Sequence, residues 1–260
     1  MKKLFSISAL AAAAALVFAG SATAADMPVK APPPPPPPAF TWTGWYIGLN
    51  GGGVWGETTG NFGPVNPNFP WQADISQGLA GVTTGSLWQF GQFVIGTEST
   101  YDAGLGDYGS TTANGIAGPC GFVATVQSCQ SRINDLFTIG GKLGWAGTGL
   151  IGNGNWLLFA QGGYARANIG TLGVTNATGA VFSRSQAWHD GWFAGVGFDY
   201  ALSSIVTIGI DYKHYEFDSE SHLDQFGNNG NSRVVSGSAD AVFGRINFKL
   251  FGPGSTITHW

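Results

Sequence analysis

Residues 191–217 read GWFAGVGFDYALSSIVTIGIDYKHYEF, and their alternation restricts the fold more than any other feature of the chain. In the first half Trp192, Ala194, Val196, Phe198 and Tyr200 share one face, against Phe193, Gly195, Gly197, Asp199 and Ala201. After Leu202, Ser203 and Ser204 the pattern resumes, with Val206, Ile208, Ile210 and Tyr212 against Thr207, Gly209, Asp211 and Lys213. A period of two marks a strand, and two such runs across a short polar break mark an antiparallel hairpin. The face opposite the apolar one is mostly Gly, Ala and acids, too small and too polar for a soluble core. Trp192 and Tyr200 bracket the apolar face. Eight residues at about 3.4 Å each, tilted about 40°, span roughly 20 Å, close to the apolar band of an outer-membrane barrel. Half-buried aromatic rings suit the two interfaces of such a band.

Composition points the same way. Only 10% of residues are charged and 42 are Gly, too few charges for an ordinary soluble surface and too much Gly for a helical protein. A net charge of −4 argues against nucleic-acid binding, which needs a basic patch. Beyond the N-terminal segment no apolar run reaches the about 20 residues of a membrane helix. A membrane crossing here must use strands, and strands cross only as a closed barrel.

Residues 1–24 read as a secretory signal, with Lys2 and Lys3 leading, a short apolar core over 9–19, and Ala22-Thr23-Ala24 as the cleavage site. Residues 25–40 form a proline-rich periplasmic linker whose seven consecutive prolines, 32–38, make a stiff polyproline II spacer. The barrel is expected over 41–251, followed by a C-terminal tail, 252–260. Eight alternating runs centre near residues 47, 83, 96, 141, 161, 195, 210 and 246. Long loops are expected over 57–73, 103–134, 168–187 and 218–236. The gaps alternate long and short, the rhythm of an up-and-down barrel with tight turns at one rim and long loops at the other. The expected fold is therefore all-β, an eight-stranded antiparallel up-and-down transmembrane β-barrel with periplasmic termini and four surface loops.

Several stretches, taken in order, resemble the small alphaproteobacterial outer-membrane β-barrel family, the porin-like, opacity-type proteins that include major surface antigens and hemin-binding members. They are ADMPVKAPPPPPPP, TWTGWYIGLNGGG, FVIGTES, GGKLGW, GWFAGVGFDYAL, IDYKHYEF and GRINFKL, within residues 25–250. The resemblance implies an outer-membrane location and assembly by the barrel-assembly machinery. One departure concerns the aromatic residue on which such barrels end. Here the last strand stops at Leu250 or Phe251, and Trp260 follows from a tail, so either Trp260 or an internal aromatic such as Phe248 supplies the assembly cue.

The strand phases point Glu98, Asp199, Asp211, Lys142, Lys213, Arg245 and Lys249 into the barrel, beside Tyr46, Asn50, Gln161 and Asn247. Three acids against four bases imply an internal salt-bridge network that plugs the lumen, because buried charges must be paired. A ring of one sign would have suggested a selective pore. Trp45, Trp145, Trp192, Tyr200 and Tyr212 are the expected aromatic girdle. Cys120 and Cys129, the only cysteines, fall in one loop of an exported chain and are expected to form a disulfide. His189, His214, His222 and His259 show no metal-ligand spacing. They read as solvated loop residues, with His189 or His222 beside Phe182 and Trp188 as the alternative of a surface heme site. No His is followed two residues later by Ser, so the nucleophile pairing sought for a lipid-acting barrel enzyme is not found. No enzyme activity and no cofactor are expected. The expected role is structural: envelope integrity, contact with outer-membrane lipid and lipopolysaccharide, and at most narrow porin-like permeability, with a conducting porin as the other alternative.

Overall fold

In the computed structural model, residues 40–62, 66–106, 127–150, 152–175, 178–223 and 232–253 are described. The expected signal peptide, the proline run and the end of the tail lie outside them. Eight strands follow one another: β1 (Gly44–Phe62), β2 (Asn66–Phe90), β3 (Phe93–Leu105), β4 (Gln127–Thr148), β5 (Asn155–Thr175), β6 (Val181–Ala201), β7 (Val206–Leu223) and β8 (Ser232–Phe251). Each pairs antiparallel with its sequence neighbour, and β1 pairs with β8 to close the ring. The closing register sets Ile47 opposite Phe248 and Asn50 opposite Arg245. At the rim where β1 begins and β8 ends, β2 and β3 are joined at Gly91, whose φ of 64° suits a residue without Cβ.

The strands run well beyond their expected ends. Residues 57–62, 66–73, 103–105, 127–134, 168–175, 181–187, 218–223 and 232–236, read from sequence as loop, are strand. The reason is an exchange of faces. Along β1 the outward residues are apolar or small from Trp45 to Trp55, and then Glu57 and Thr59 follow. Inward, Tyr46 and Asn50 give way to Val54 and Thr58. Along β5 the outward set runs Trp156, Leu158, Ala160, Gly162 and Tyr164, then Arg166 and Asn168, while the inward side becomes Ala165, Ala167 and Ile169. A strand needs only about 9–11 residues to cross a membrane. The 25 residues of β2 and 22 of β4 therefore build a second storey on the loop side of the apolar band. There the outside is polar, and the inside joins apolar side chains to small hydroxyls such as Thr58, Ser131, Thr171 and Ser185 and to two imidazoles.

That storey has its own core. Val54, Ile75, Leu79, Ile133, Leu136, Ala167, Ile169, Tyr215, Phe217, Ala239, Ala241 and Phe243 pack in one buried cluster. A second cluster closes the turn side, formed by Trp42, Tyr46, Leu87, Val94, Ala146, Leu157, Phe159 and Ala201, with Phe40 packed against it. Between the two lies the charged layer.

Candidate functional site

Arg245 is the hub of the charged layer. Its guanidinium donates to Asp199 through Nε (2.9 Å) and Nη2 (2.8 Å), and through Nη1 to Glu98 at 2.9 Å. Bidentate pairing of this kind combines charge with fixed geometry. Lys142 donates to the same Glu98 carboxylate, and the Tyr46 hydroxyl donates to it at 2.6 Å. Lys213 lies 3.6 Å from Asp211 and 3.9 Å from Glu98, and Gln161 donates to Asp211 at 2.7 Å. All these charged side chains are at most 4% exposed. Aromatic rings line both sides: Lys142 and Arg245 lie 4.1 and 4.6 Å from the centre of the Phe159 ring, and Lys213 lies 5.6 Å from those of Phe193 and Phe243. Cations held between ring faces away from water gain from the ring quadrupole.

Glycine makes the room. A Cβ on Gly209 would meet Asp199 Oδ1 at 2.0 Å, and one on Gly197 would meet the Phe159 ring at 2.3 Å. The small inward residues of the β6–β7 hairpin are thus the space into which side chains from β5 and β8 reach.

Two members of the layer differ from the sequence reading. Lys249 points inward but sits one rung beyond Asn247 at the turn rim. There it donates to the Thr41 carbonyl and lies 5.0 Å from the Phe40 ring. It belongs to the mouth, not to the network. Asp102, placed at the edge of an expected loop, is fully buried and accepts from Asn50. The layer thus holds the acids Glu98, Asp102, Asp199 and Asp211 against Lys142, Lys213 and Arg245. A small cavity of about 10 Å³ touches Asn50, Thr83, Glu98, Asp211, Lys213 and Arg245. Oxygens on Asn50, Thr83, Asp102 and Asp211 lack a protein partner in this part of the barrel.

The turn-side mouth carries a plug that sequence reading did not identify. Trp42 is 5% exposed, and its ring meets Phe40 edge to face at 5.1 Å. Its backbone N–H donates to Gln89 Oε1 at 2.8 Å, while Gln89 N–H donates to Thr43 Oγ1 at 2.9 Å. The chain therefore folds into the opening before β1 begins.

Outside, Trp45, Trp145 and Tyr200 fall at the turn side of the apolar band, and Trp192 and Tyr212 at its loop side. Trp145 meets Phe93 edge to face at 4.7 Å. Just beyond the loop-side ring a pairing recurs. Tyr101 donates to Asp135 (2.8 Å), Tyr164 to Asp190, and Tyr212 to Asp240 (2.5 Å). Each pair joins the two strands flanking one loop-side connection. Arg166 adds an ion pair to Asp190 at 3.2 Å.

The histidines are the main correction. His189 and His222, expected in solvated loops, are both fully buried, with their Nε2 atoms 2.7 Å apart. His189 Nδ1 lies 2.9 Å from the Asp218 carbonyl, and His222 Nδ1 lies 3.3 Å from Ser185 Oγ. Neither presents a nitrogen to a heme at the surface. Ser185 is enclosed as well, so its contact with His222 offers a substrate no approach. His214 faces outward and contacts Asp240 and Glu216. His259 and Cys120 lie outside the described residues, whereas Cys129 is buried on β4.

No family model matches the sequence. The 31 kDa outer-membrane immunogenic protein of Brucella melitensis biotype 1 is 26% identical over 228 residues, spanning 84% of this chain and 90% of the relative. The Brucella suis biovar 1 protein of the same description matches to the same extent. Among solved structures, OprG from Pseudomonas aeruginosa aligns with 82% of this chain and 99% of its own at 11% identity and a TM-score of 0.44. Neisserial surface protein A aligns with 80% and 97% at 11% identity and a TM-score of 0.38. The closed eight-stranded ring, with its apolar outer band between aromatic rings, is a β-barrel of outer-membrane type, and the chain is similar along most of its length to an outer-membrane immunogenic protein.

Proposed function

We propose that the protein is a closed structural barrel that supports envelope integrity and does not conduct ions at a physiological rate. The supporting observation is the filled lumen. The Trp42 plug, the Arg245-centred layer and the apolar loop-side core occupy successive levels of the interior. An eight-stranded ring is only wide enough for its own side chains, and here those side chains interlock. On this reading the partners are outer-membrane lipid and lipopolysaccharide around the two aromatic rings, and the barrel-assembly machinery during insertion. The role is non-enzymatic. The Brucella relative is described as immunogenic; the corresponding expectation here is that the loop side is displayed to the exterior.

The test is conductance of the purified, refolded protein in a planar lipid bilayer. A closed barrel leaves the baseline unchanged over the usual voltage range. Long-lived steps of reproducible unit size would overturn the reading in favour of a porin.

A further inference from the structure

The backbone ladder between β6 and β7 begins at Ala201↔Thr207 and ends at Gly191↔Phe217. Both strands continue beyond that point, β6 back to Val181 and β7 on to Leu223. There β6 stays paired with β5, and β7 with β8 past an irregularity between Phe217 and Glu220. The loop storey therefore has a seam, and His189 and His222 face each other across it. A comparable seam lies between β2 and β4, where β3 stops at Leu105. The Gln77 side chain closes it, donating to the Ile133 carbonyl at 2.7 Å and accepting from Ile133 N–H at 3.1 Å. One seam is closed by an amide that never titrates, the other by two imidazoles.

The chemistry of the second closure has one direction. The Asp218 carbonyl only accepts, so His189 carries its hydrogen on Nδ1. Neutral His189 then has a bare Nε2, and His222 must donate its own Nε2–H across the 2.7 Å gap. His222 Nδ1 is left bare and accepts from the Ser185 hydroxyl, which in turn is bonded to Thr171 at 2.7 Å. Five groups on three strands thus form one chain of hydrogen bonds that fits two neutral rings. A first added proton leaves an imidazolium enclosed away from water. A second puts two N–H groups head to head. Among the described residues, the groups that act on His189 are the Asp218 carbonyl, Glu220 on β7 and Asp190 on β6. Arg184 lies on the outer face of β6, and β8 sets Arg233 opposite His222 in the register.

We propose that the His189–His222 pair is an acid-labile latch on the β6–β7 seam, holding the loop storey shut at neutral pH and releasing it when the exterior turns acidic. Burial lowers the affinity of His189 for a proton, outweighing Asp218, Glu220 and Asp190. The sign follows. The opened state takes up protons as pH falls through the ordinary imidazole value of about 6.5, while the closed state resists. Closure is therefore complete above that pH and weakens below it. Opening uncovers the apolar layer around Ile169 and Phe217. The latch does not depend on whether the barrel conducts.

Hydrogen–deuterium exchange of the full-length protein in lipid-containing micelles, at pH 7.5 and 5.0 with intrinsic rates corrected, tests it. Protection over 183–190 and 218–222 should fall about tenfold or more at the lower pH, the ceiling being about tenfold per pH unit for each proton taken up. Protection over residues 75–79 and 131–133 at the Gln77 seam, and over 192–200 in the band, should hold. Equal protection at both pH values, or loss over the whole chain alike, would overturn the latch. The double variant His189→Gln, His222→Gln keeps hydrogen-bonding groups that do not titrate, and its protection should no longer respond to pH. A response like the parent's would count against the proposal. Should that variant not fold, nitrogen NMR of the parent at pH 7.5 decides. The expected result is an Nδ1–H tautomer at His189 and an Nε2–H tautomer at His222, and two rings of the same tautomer would refute the chain.

Discussion

The membrane band and the storey above it use the same strands in opposite senses. In the band Ile47, Leu49, Ile139, Leu143 and Val196 face outward, while Glu98, Lys142, Asp199 and Arg245 face inward. In the storey Glu57, Arg166, Arg184 and Glu216 face outward, and Ile75, Leu79, Ile133, Ile169 and Phe217 face inward. The β-ladder continues through the change. What changes is the solvent on the outside: lipid in one half and water in the other. The band has less apolar burial inside, confined to the turn-side cluster around Leu87, Leu157 and Phe159, because most of its apolar residues meet lipid. It is held by backbone pairing and a paired charge layer. The storey folds like a small soluble sheet protein, by burying apolar side chains. The band's interior is therefore sensitive to loss of a charge and the storey's to loss of a methyl group.

Substitutions divide along that line. The largest effect is expected from Arg245→Met, which removes the bidentate partner of Asp199 and one of the cations on Glu98. Removing one side of a buried ion pair costs about 3–5 kcal/mol, and the folded, heat-resistant band on unboiled gels should appear at much lower temperature or not at all. Next is Ile133→Ala, at about 2–5 kcal/mol for a buried truncation. Its exchange signature should stay in the storey and leave residues 192–200 protected, and a spread into the band would show that the two halves unfold as one. Ile139→Lys, on the lipid face, should lose about 2–4 kcal/mol in urea titrations in lipid vesicles. The outward Arg184→Leu in the storey should leave the midpoint in place. The smallest effect is expected from Tyr101→Phe. It removes one exposed cross-strand hydrogen bond to Asp135 and should leave the unfolding midpoint within error.

Much of the band could be read from sequence, because its period-two signal carries one apolar face without interruption. That phase orients Glu98, Lys142, Asp199, Asp211, Lys213 and Arg245, since each lies an even number of residues from a neighbour already assigned inward on its strand. The storey was hidden by the exchange of faces. In 164–171, Tyr-Ala-Arg-Ala-Asn-Ile-Gly-Thr, the apolar side switches from even to odd positions. A search for continuing apolar periodicity ends at such a point and reports a loop. A search for a change of phase would have found the extension, and with it the inward positions of His189 and His222. Asp102 was missed for the same reason, one residue before an expected loop. The Trp42 plug carries no periodic signal, because residues 40–43 precede the first strand. Its cue was an apolar pair, Phe40 and Trp42, next to a barrel mouth.

The filled lumen is tested most directly by acylating lysines of the folded protein in micelles with a small water-soluble amine reagent and locating the adducts by peptide mass spectrometry. Lys142 and Lys213, at 1% and 2% exposed, should stay unmodified until the protein is boiled, while half-buried Lys249 at the mouth reacts. Acylation of Lys142 and Lys213 at the rate seen for Lys249 would mean that water and solutes reach the charged layer, and that the barrel is a pore and not a plug.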